Sequence, residues 1–301
     1  MCTGELKSHC TLFIKQKSDK TKLGGLVKSP LLPTSSAKRV LIVTHDVDWP
    51  LNGPGTAHIL ARRDRFSPEV IRKVIDEGFN PYYGIPKLME IEEKFGIRST
   101  FFFRPTYDDG SEVDEYEKTI KSLLSHGWEV GLHSNSTSTP EEVNFEKRTL
   151  EKTAGKPVYG SRVHYLKVSD NTFPNLAQAG IKYDSSLSFN KEQIDTRNTG
   201  YLVKDGLIVF PVTFMDAYLF SYMGLTEETI VPFMVKTMEK MFDSGIQIMT
   251  LLWHDNSVMM KGGRFYADVI RQLSNSNITF LKGVEAFEIV QKQVTSQMQG
   301  K

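Results

Sequence analysis

The stretch Arg39–Trp49, with the sequence RVLIVTHDVDW, constrains the fold more than any other part of the chain. Its first half, Val40–Val43, is an aliphatic run typical of a strand that is buried on both faces of a parallel sheet. Its second half, Thr44–Asp48, places two carboxylates and an imidazole where that strand leaves the core. Functional groups of α/β proteins sit at such strand ends, because the core fixes the backbone there. A polar loop with a helix-capping aspartate is the alternative interpretation.

From Ile85 onward, apolar runs of strand length alternate with amphipathic helical segments. One helix is predicted to begin at Pro140 and to end before Gly155. The predicted strands are Ser99–Phe103, Trp128–Leu132, Val158–Ser161, a strand from Tyr183, Leu207–Val212, Ile246–Trp253 and Thr279–Leu281. Regular alternation favours a parallel sheet with helices outside it, either a barrel or a doubly wound sheet. We expect a single domain over residues 38–295.

Two segments do not follow this alternation. Residues 1–37 are rich in Lys, Ser and Thr, and we expect them to be a flexible leader. Residues 50–84 are too long for an ordinary connection in a compact domain, so we interpret them as an insertion above the strand end. The insertion is either a substrate lid or an excursion without a role in binding.

Composition excludes several function classes. The formal net charge of +1 gives no electrostatic reason to expect a nucleic-acid or membrane partner, and no stretch is long enough to span a bilayer. Cys2 and Cys10 are the only cysteines, too few for a disulfide framework or a zinc knuckle. The first residues do not resemble a signal peptide, so we expect a cytoplasmic protein of undetermined oligomeric state.

Unusual polar residues follow several of the predicted strands. They are His133 to Thr137, Arg162 with His164 and Tyr165, Asp184 to Ser186, and His254 with Asp255. The carboxyl ends of parallel strands lie on one side of a sheet, so these groups are expected to converge despite their separation in sequence.

In this order, the segments THDVD, GLHSNST, SRVHY, DSS and LLWH resemble the five motifs of the NodB-type polysaccharide deacetylases, the fourth family of carbohydrate esterases. The resemblance covers residues 39 to about 290. It implies a distorted (β/α)7-type barrel and metal-assisted hydrolysis of C–N amide bonds in acetylated glycans. Some relatives instead open cyclic amides, and some of those act without a metal.

The resemblance also implies catalytic roles. Asp46 matches the general base that activates water, and Arg162 matches the arginine that orients this base. His254 matches the histidine that protonates the leaving amine, and Asp184 the acid that raises the pKa of that histidine. These roles suit amide hydrolysis, which needs an activated water, a stabilised oxyanion and a protonated leaving nitrogen.

The implied metal site departs from the family pattern. Asp48 and His133 match two ligands of a divalent metal, for which zinc is the expected ion. The family has a second histidine four residues after the first, where this chain has Thr137. Catalytic zinc usually takes three protein ligands, so a third is needed. Thr137 could supply it through its hydroxyl or a held water, or His164 could reach into the site.

Aromatic and polar residues near the motifs are candidates for substrate binding. Trp49 and Trp253 flank the predicted site, and their faces could stack on a sugar ring or simply close the core. The full substrate-binding prediction comprises Trp49, Asn135, Thr137, Tyr165 and Trp253.

Other residues near these motifs are assigned lesser roles. His45 is expected to pack or to support its neighbours, and Met215, Asp216 and Tyr218 to line a wall of the pocket. None of these is assigned to catalysis from the sequence.

The favoured function is deacetylation of an N-acetylated sugar or glycan precursor, either nucleotide-linked, lipid-linked or small. A cyclic ureide or imide amidohydrolase is the first alternative, because the family's metal motif is incomplete. A catalytically inactive glycan-binding homologue is the second.

Overall fold

The computed structural model of the protein describes residues 39–299, with side chains through Ser296 in the last helix. The predicted leader, residues 1–37, and both cysteines lie outside the described residues. Within residues 39–299 the strands form one ten-stranded sheet. The strands are β1 (Arg39–Val47), β2 (Thr100–Phe103), β3 (Glu129–Ser134), β4 (Gly160–Val163), β5 (Tyr183–Asp184), β6 (Leu202–Lys204), β7 (Leu207–Val209), β8 (Phe214–Met215), β9 (Ile248–Leu252) and β10 (Ile278–Leu281).

The sheet runs in the order β6-β7-β5-β4-β3-β2-β1-β9-β8, and β10 also pairs with β1. All of these pairings are parallel except that of β6 with β7. The sheet curls into a distorted barrel, which confirms the predicted fold class. β1 pairs with three strands: its residues 39–42 pair with β10, residues 40–44 with β9 and residues 44–47 with β2.

Helices cover the outside of the curled sheet and join its strands. α5 shows why they form where they do: Thr139 accepts a hydrogen bond from the Glu142 N–H, Pro140 opens the helix, and Gly155 ends it at a φ of 66°. The helices are α1 (Thr56–Leu60), α2 (Pro68–Glu77), α3 (Ile85–Lys94), α4 (Glu117–Ser125), α5 (Pro140–Ala154), α6 (Thr172–Gln178), α7 (Asp216–Ser221), α8 (Ile230–Asp243), α9 (Tyr266–Ser274) and α10 (Gly283–Gln299).

Side chains of β1 alternate between the two faces of the barrel wall. Leu41 and Val43 belong to the large apolar cluster between the sheet and its outer helices. Val40 and Ile42 belong to a smaller cluster inside the barrel. The same alternation, continued along the strand, turns Thr44, Asp46 and Asp48 inward and His45 outward.

The first turn of α10 closes the amino-terminal end of the barrel. The buried carboxylate of Glu129 accepts hydrogen bonds from the N–H of Val284 at 2.9 Å, from the Thr100 hydroxyl at 2.6 Å and from the Tyr183 hydroxyl at 2.8 Å. Burial raises the pKa of Glu129. A carboxylate at a helix N-terminus also offsets the partial positive charge there. With this end closed, the opposite rim is left for a site.

The segment assigned to an insertion, residues 50–84, folds into α1, a 3₁₀ turn at Arg63–Arg65 and α2. It has an apolar cluster of its own, which also packs against Trp49 at the end of β1. The cluster consists of Ile59, Phe66, Val74 and Tyr82. No helix among residues 39–299 combines the length and the apolar character needed to cross a membrane.

Candidate active site

Asp46 is held at the inner rim of the barrel by Arg162. The fully buried guanidinium of Arg162 donates from Nη1 to Asp46 Oδ1 at 2.8 Å and to Thr44 Oγ1 at 2.9 Å. It also donates from Nε to the Ser185 carbonyl at 2.8 Å and lies 4.7 Å from the centre of the Phe102 ring. A buried charge needs such pairing. The contact predicted between Arg162 and Asp46 is therefore present.

Asp48, His133 and His164 form a group of potential metal ligands. One ligand atom from each lies within 4.8 Å of the others. His133 Nε2 is 3.1 Å from Asp48 Oδ1, and His164 Nε2 is 3.8 Å from the same oxygen. The other nitrogen of His133, Nδ1, donates to the Arg162 carbonyl at 2.9 Å, so Nε2, which faces Asp48, is the nitrogen that a metal would take in place of this hydrogen bond. Two imidazoles and one carboxylate are a known ligand set for catalytic zinc, so these residues fit a divalent ion.

The electrostatics of this group favour the protonation states that bind metal. Burial alone raises the pKa of Asp48, but the hydrogen bond with His133 and the charge of His254 outweigh it and hold this pKa well below its ordinary value. Burial lowers the pKa of His164 to about 4, helped by repulsion from His133. An ionised carboxylate and a neutral imidazole are the forms that coordinate cations.

His164 reaches the site through an unusual piece of backbone. It begins a 3₁₀ turn in which Tyr165 and Leu166 have φ values of 59° and 53°, in the left-handed region that side chains seldom adopt. The exposed Tyr165 ring stacks on the His164 ring, with a centroid separation of 3.8 Å. Conformations of this kind persist only where surrounding structure enforces them. The turn and the stacked ring thus fix the direction of His164.

The two candidates for the third ligand have different surroundings. Thr137 is buried, and its hydroxyl pairs with the Thr172 hydroxyl at 3.0 Å. Its carbonyl accepts a hydrogen bond from Asn175 at 2.9 Å. Thr137 therefore supports the loop after β3, and its places as a ligand and as a substrate-binding residue stay predictions. His164 lies in the group of potential ligands with Asp48 and His133.

His254 follows β9 and is paired with Asp216 at the start of α7. His254 Nδ1 lies 2.6 Å from Asp216 Oδ1, and the backbone N–H of His254 donates to Asp216 Oδ2 at 2.9 Å. The Ser257 hydroxyl donates to the same Oδ2. The remaining ring nitrogen, Nε2, faces the metal group and lies 3.7 Å from Asp48 Oδ2. Burial lowers the pKa of His254, but the charge and hydrogen bond of Asp216 outweigh it and raise that pKa to about 10.

Asp184 does not contact His254, so its predicted role is wrong. Its carboxylate accepts hydrogen bonds from the Ser161 hydroxyl at 2.7 Å and from the N–H and hydroxyl of Ser186, both at 2.8 Å. The reason is strand alternation: Tyr183 belongs to the cluster inside the barrel, so Asp184 faces outward. Asp216 is the acid that contacts His254 instead. A carboxylate four residues after the predicted strand Leu207–Val212 was the sequence signal for it.

The predicted substrate-binding role of Trp253 is also wrong. Its side chain is fully buried, belongs to the outer apolar cluster and donates from Nε1 to the Gly263 carbonyl at 3.1 Å. Its neighbour His254 faces inward, so Trp253 faces outward. Asn135 lies at the rim, but its side chain is occupied: Oδ1 accepts from Arg104 at 2.7 Å and Nδ2 donates to the Thr106 carbonyl at 2.8 Å.

Two cavities open on either side of Asp48, which lines both. The larger, of about 580 Å³, lies on the His164 side. Its lining includes Trp49, Tyr165 and four residues of the insertion, so the insertion forms part of the cavity wall. These four are Pro50, Gly53, Pro54 and Gly55. The smaller cavity, of about 390 Å³, lies on the His254 side and includes Asp216, Phe220 and Arg65. A substrate bound across Asp48 would therefore meet both histidines.

Comparison with solved structures shows that others share the fold of this barrel. A putative polysaccharide deacetylase from Mycobacterium smegmatis has a TM-score of 0.64 and 21% identity, over 89% of this chain and 96% of that one. Puue allantoinase has a TM-score of 0.59 and 12% identity, over 84% of this chain and 90% of that one. These likenesses confirm the NodB-type fold that the order of the motifs predicts.

Sequence comparison covers less of the chain. A peptidoglycan deacetylase from Helicobacter pylori is 28% identical over 116 residues, which are 36% of this chain and 38% of that protein. The match thus spans well under half the length of this relative. No model of a known protein family matches the chain.

Proposed function

We propose that the protein is a metal-dependent hydrolase of C–N amide bonds that removes the acetyl group from an N-acetylated sugar or glycan precursor. One observation carries this proposal. A single rim of the barrel brings together a carboxylate held by arginine, a group of three metal-ligand side chains, and a histidine paired with a carboxylate. These are the groups that amide hydrolysis needs.

Asp48, His133 and His164 would hold the ion, and zinc is the expected one. A divalent ion bound there supplies an acidified water and polarises the acyl oxygen. His164→Ala should weaken zinc binding at least about tenfold, as measured by competition with a chromogenic chelator. Thr137→Ala is the matched control. Unchanged affinity in His164→Ala would remove His164 from the site.

Asp46 and His254 divide the proton transfers. Asp46, fixed by Arg162, accepts a proton from the attacking water as its oxygen bonds to the acyl carbon. His254, charged through its pairing with Asp216, gives a proton from Nε2 to the amide nitrogen as the C–N bond breaks. The products are acetate and the free amine. Arg162 stays protonated throughout, because a guanidinium in a protein does not lose its proton.

The choice of substrate class is supported by the relatives and by the shape of the site. A peptidoglycan deacetylase and a polysaccharide deacetylase are among the similar proteins, and both names refer to acetylated glycans. The cavity beside His164 presents the ring of Tyr165 and that of Trp49, against which the acetyl group or a further sugar of a glycan would pack.

Acetate release from a panel of N-acetylglucosamine compounds, with and without added zinc, tests the proposal. Wild-type protein should release acetate, and Asp46→Asn should lower kcat by at least about a hundredfold because its base is lost. His126→Gln, at an exposed helix end, is the control for a histidine outside the site. Undiminished turnover in Asp46→Asn would contradict the assignment of the base.

The same panel separates the alternatives. Ring opening of allantoin without acetate release would favour the cyclic amide hydrolase, and sugar binding without turnover would favour a glycan-binding homologue. The cytoplasmic location expected from the sequence stays a prediction, which fractionation of expressing cells tests.

A further inference from the structure

The cavity on the His254 side carries two cationic side chains from separate loops. Arg65 comes from the 3₁₀ turn of the insertion, and Lys261 from the segment between β9 and α9. The backbone N–H of Lys261 donates to the Arg65 carbonyl at 2.7 Å, so the two loops are fastened together at this point. This contact holds the two backbones side by side where both residues line the cavity, and Lys261 also lines a neighbouring cavity of about 190 Å³.

Neither cation is neutralised within residues 39–299. No carboxylate in that range lies within 4.0 Å of the Arg65 guanidinium or the Lys261 ammonium group. Arg264, three residues further on, differs: it pairs with Glu227 at 3.1 Å. The carboxylate of Glu227 also accepts from the Gly262 N–H at 2.9 Å, so this acid is occupied beside Lys261.

The acids of the cavity do not offset these cations. Asp216 is fully engaged with His254 and Ser257. Asp48 belongs to the metal-ligand group and would be neutralised by the ion it holds. The wall formed by Arg65 and Lys261 therefore presents an uncompensated positive charge, and a ligand that fills this cavity gains from carrying a negative one.

The position of His254 decides which part of a substrate meets this wall. His254 protonates the leaving nitrogen, so the amine-bearing sugar must lie on the His254 side of Asp48, in the smaller cavity. We propose that Arg65 and Lys261 form a subsite for a phosphoryl group carried by that sugar, which makes the substrate a phosphorylated N-acetyl amino sugar. The proposal rests on the proposed deacetylase function. A phosphoryl group is favoured because its oxygens suit paired cationic donors from an arginine and a lysine.

Kinetics with paired substrates test the subsite. For wild-type protein, kcat/KM for N-acetylglucosamine 1-phosphate should exceed that for N-acetylglucosamine by at least about tenfold. In the double variant Arg65→Gln and Lys261→Gln this ratio should fall to near one. N-acetylmuramic acid, with a carboxylate, distinguishes the kinds of anion: a larger preference for it would replace the phosphoryl group with a carboxylate. A ratio that is unchanged in the double variant would overturn the subsite.

Arg63→Gln is the matched control, because Arg63 lies in the same 3₁₀ turn and is exposed but does not line the cavity. It should keep the wild-type ratio. Calorimetric binding of glucosamine 1-phosphate and of glucosamine, which carry no acetyl group, gives an answer that is independent of turnover. If wild-type protein binds glucosamine 1-phosphate more tightly than glucosamine and the double variant does not, the subsite is supported even if no acetate is released. Equal binding of the two compounds would reject the subsite while leaving deacetylation in place.

Discussion

Two histidine–carboxylate pairs lie on opposite faces of the barrel wall, close to the carboxyl end of β1. His254 and Asp216 form the inner pair, and His45 and Glu92 form the outer one. The nitrogen–oxygen distance is 2.6 Å in both pairs. This distance alone therefore does not distinguish His254, which is proposed to be catalytic, from His45, which has a structural role.

The difference lies in the second ring nitrogen of each histidine, the one that is not paired with the carboxylate. His254 keeps Nε2 facing Asp48, and about 17% of its side chain is exposed. His45 is fully buried and uses both nitrogens, because its Nδ1–H donates to the Trp253 carbonyl at 2.6 Å. Glu92 also accepts hydrogen bonds from the side chains of Ser99, Trp128 and Tyr266. The inner pair can exchange a proton with a substrate, whereas the outer pair binds α3 and α9 to the sheet.

Loss of the inner histidine should have the largest effect on turnover. His254→Gln removes the proton donor for the leaving amine, and we expect kcat to fall by about 10² to 10⁴-fold. Unfolding in urea should change little, because Asp216 keeps its hydrogen bonds from the backbone N–H of residue 254 and from the Ser257 hydroxyl. Acetate release measures the first quantity and circular dichroism the second. A variant that keeps kcat but unfolds at a lower urea concentration would give His254 a structural role like that of His45.

Loss of the outer carboxylate should instead appear in stability. Glu92→Ala leaves His45 and three other donors buried without a partner, and we expect the free energy of unfolding to fall by about 3–5 kcal/mol. The midpoint of urea unfolding measures this. Glu90→Ala, an exposed residue of the same helix, should unfold like the wild type. A small loss of unfolding free energy in Glu92→Ala would show that the outer pair does not hold α3 and α9 to the sheet.

Substitution of Asp216 and of Asp184 distinguishes an acid that positions His254 from an acid with a structural role alone. Asp216→Asn should lower kcat about 10- to 100-fold, because His254 loses the charge that keeps it protonated and oriented. The fall of kcat on the alkaline side of its pH profile should also begin at a lower pH than in the wild type, because His254 loses its proton more easily. Asp184→Asn should leave kcat of the folded protein unchanged and affect unfolding alone. The reverse result would restore the role first predicted for Asp184.

Another buried carboxylate, Glu146, has no histidine partner among residues 39–299 and should show a small effect of pH. It accepts hydrogen bonds from the Ser134 hydroxyl and from the backbone N–H groups of Asn135 and Ser136. Burial raises its pKa to about 7 from an ordinary 4.5. The folded state thus binds this proton more tightly, so its contribution to stability is complete below pH 4.5 and is lost as the pH rises to 7.

Glu146→Gln removes that dependence. The difference in unfolding free energy between Glu146→Gln and the wild type should shift in favour of the variant from pH 4.5 to 7, and stay constant above pH 7. Urea midpoints at four pH values measure it. A difference that is flat across the whole range would mean that Glu146 titrates equally in the folded and unfolded states.

The parts of the site that could be predicted are those at strand ends. Asp46, Asp48, His133, Arg162 and His254 each follow an apolar run, and the carboxyl ends of parallel strands meet at one rim. The errors have a common origin. Trp253 and Asp184 also stand at strand ends, but their side chains point to the outer face. The face that a residue occupies depends on which neighbours the strand meets, and a strand buried on both faces has no polar side to reveal it.

The sequence by itself determined a parallel sheet with outer helices and the order in which the polar side chains follow its strands, because hydrophobic periodicity and strand-end chemistry are local properties. Only the tertiary structure decided that His164 lies with Asp48 and His133 and that Asp216 is the partner of His254. Both choices depend on contacts between segments far apart in the chain, and on a left-handed turn at Tyr165 that no local preference would select.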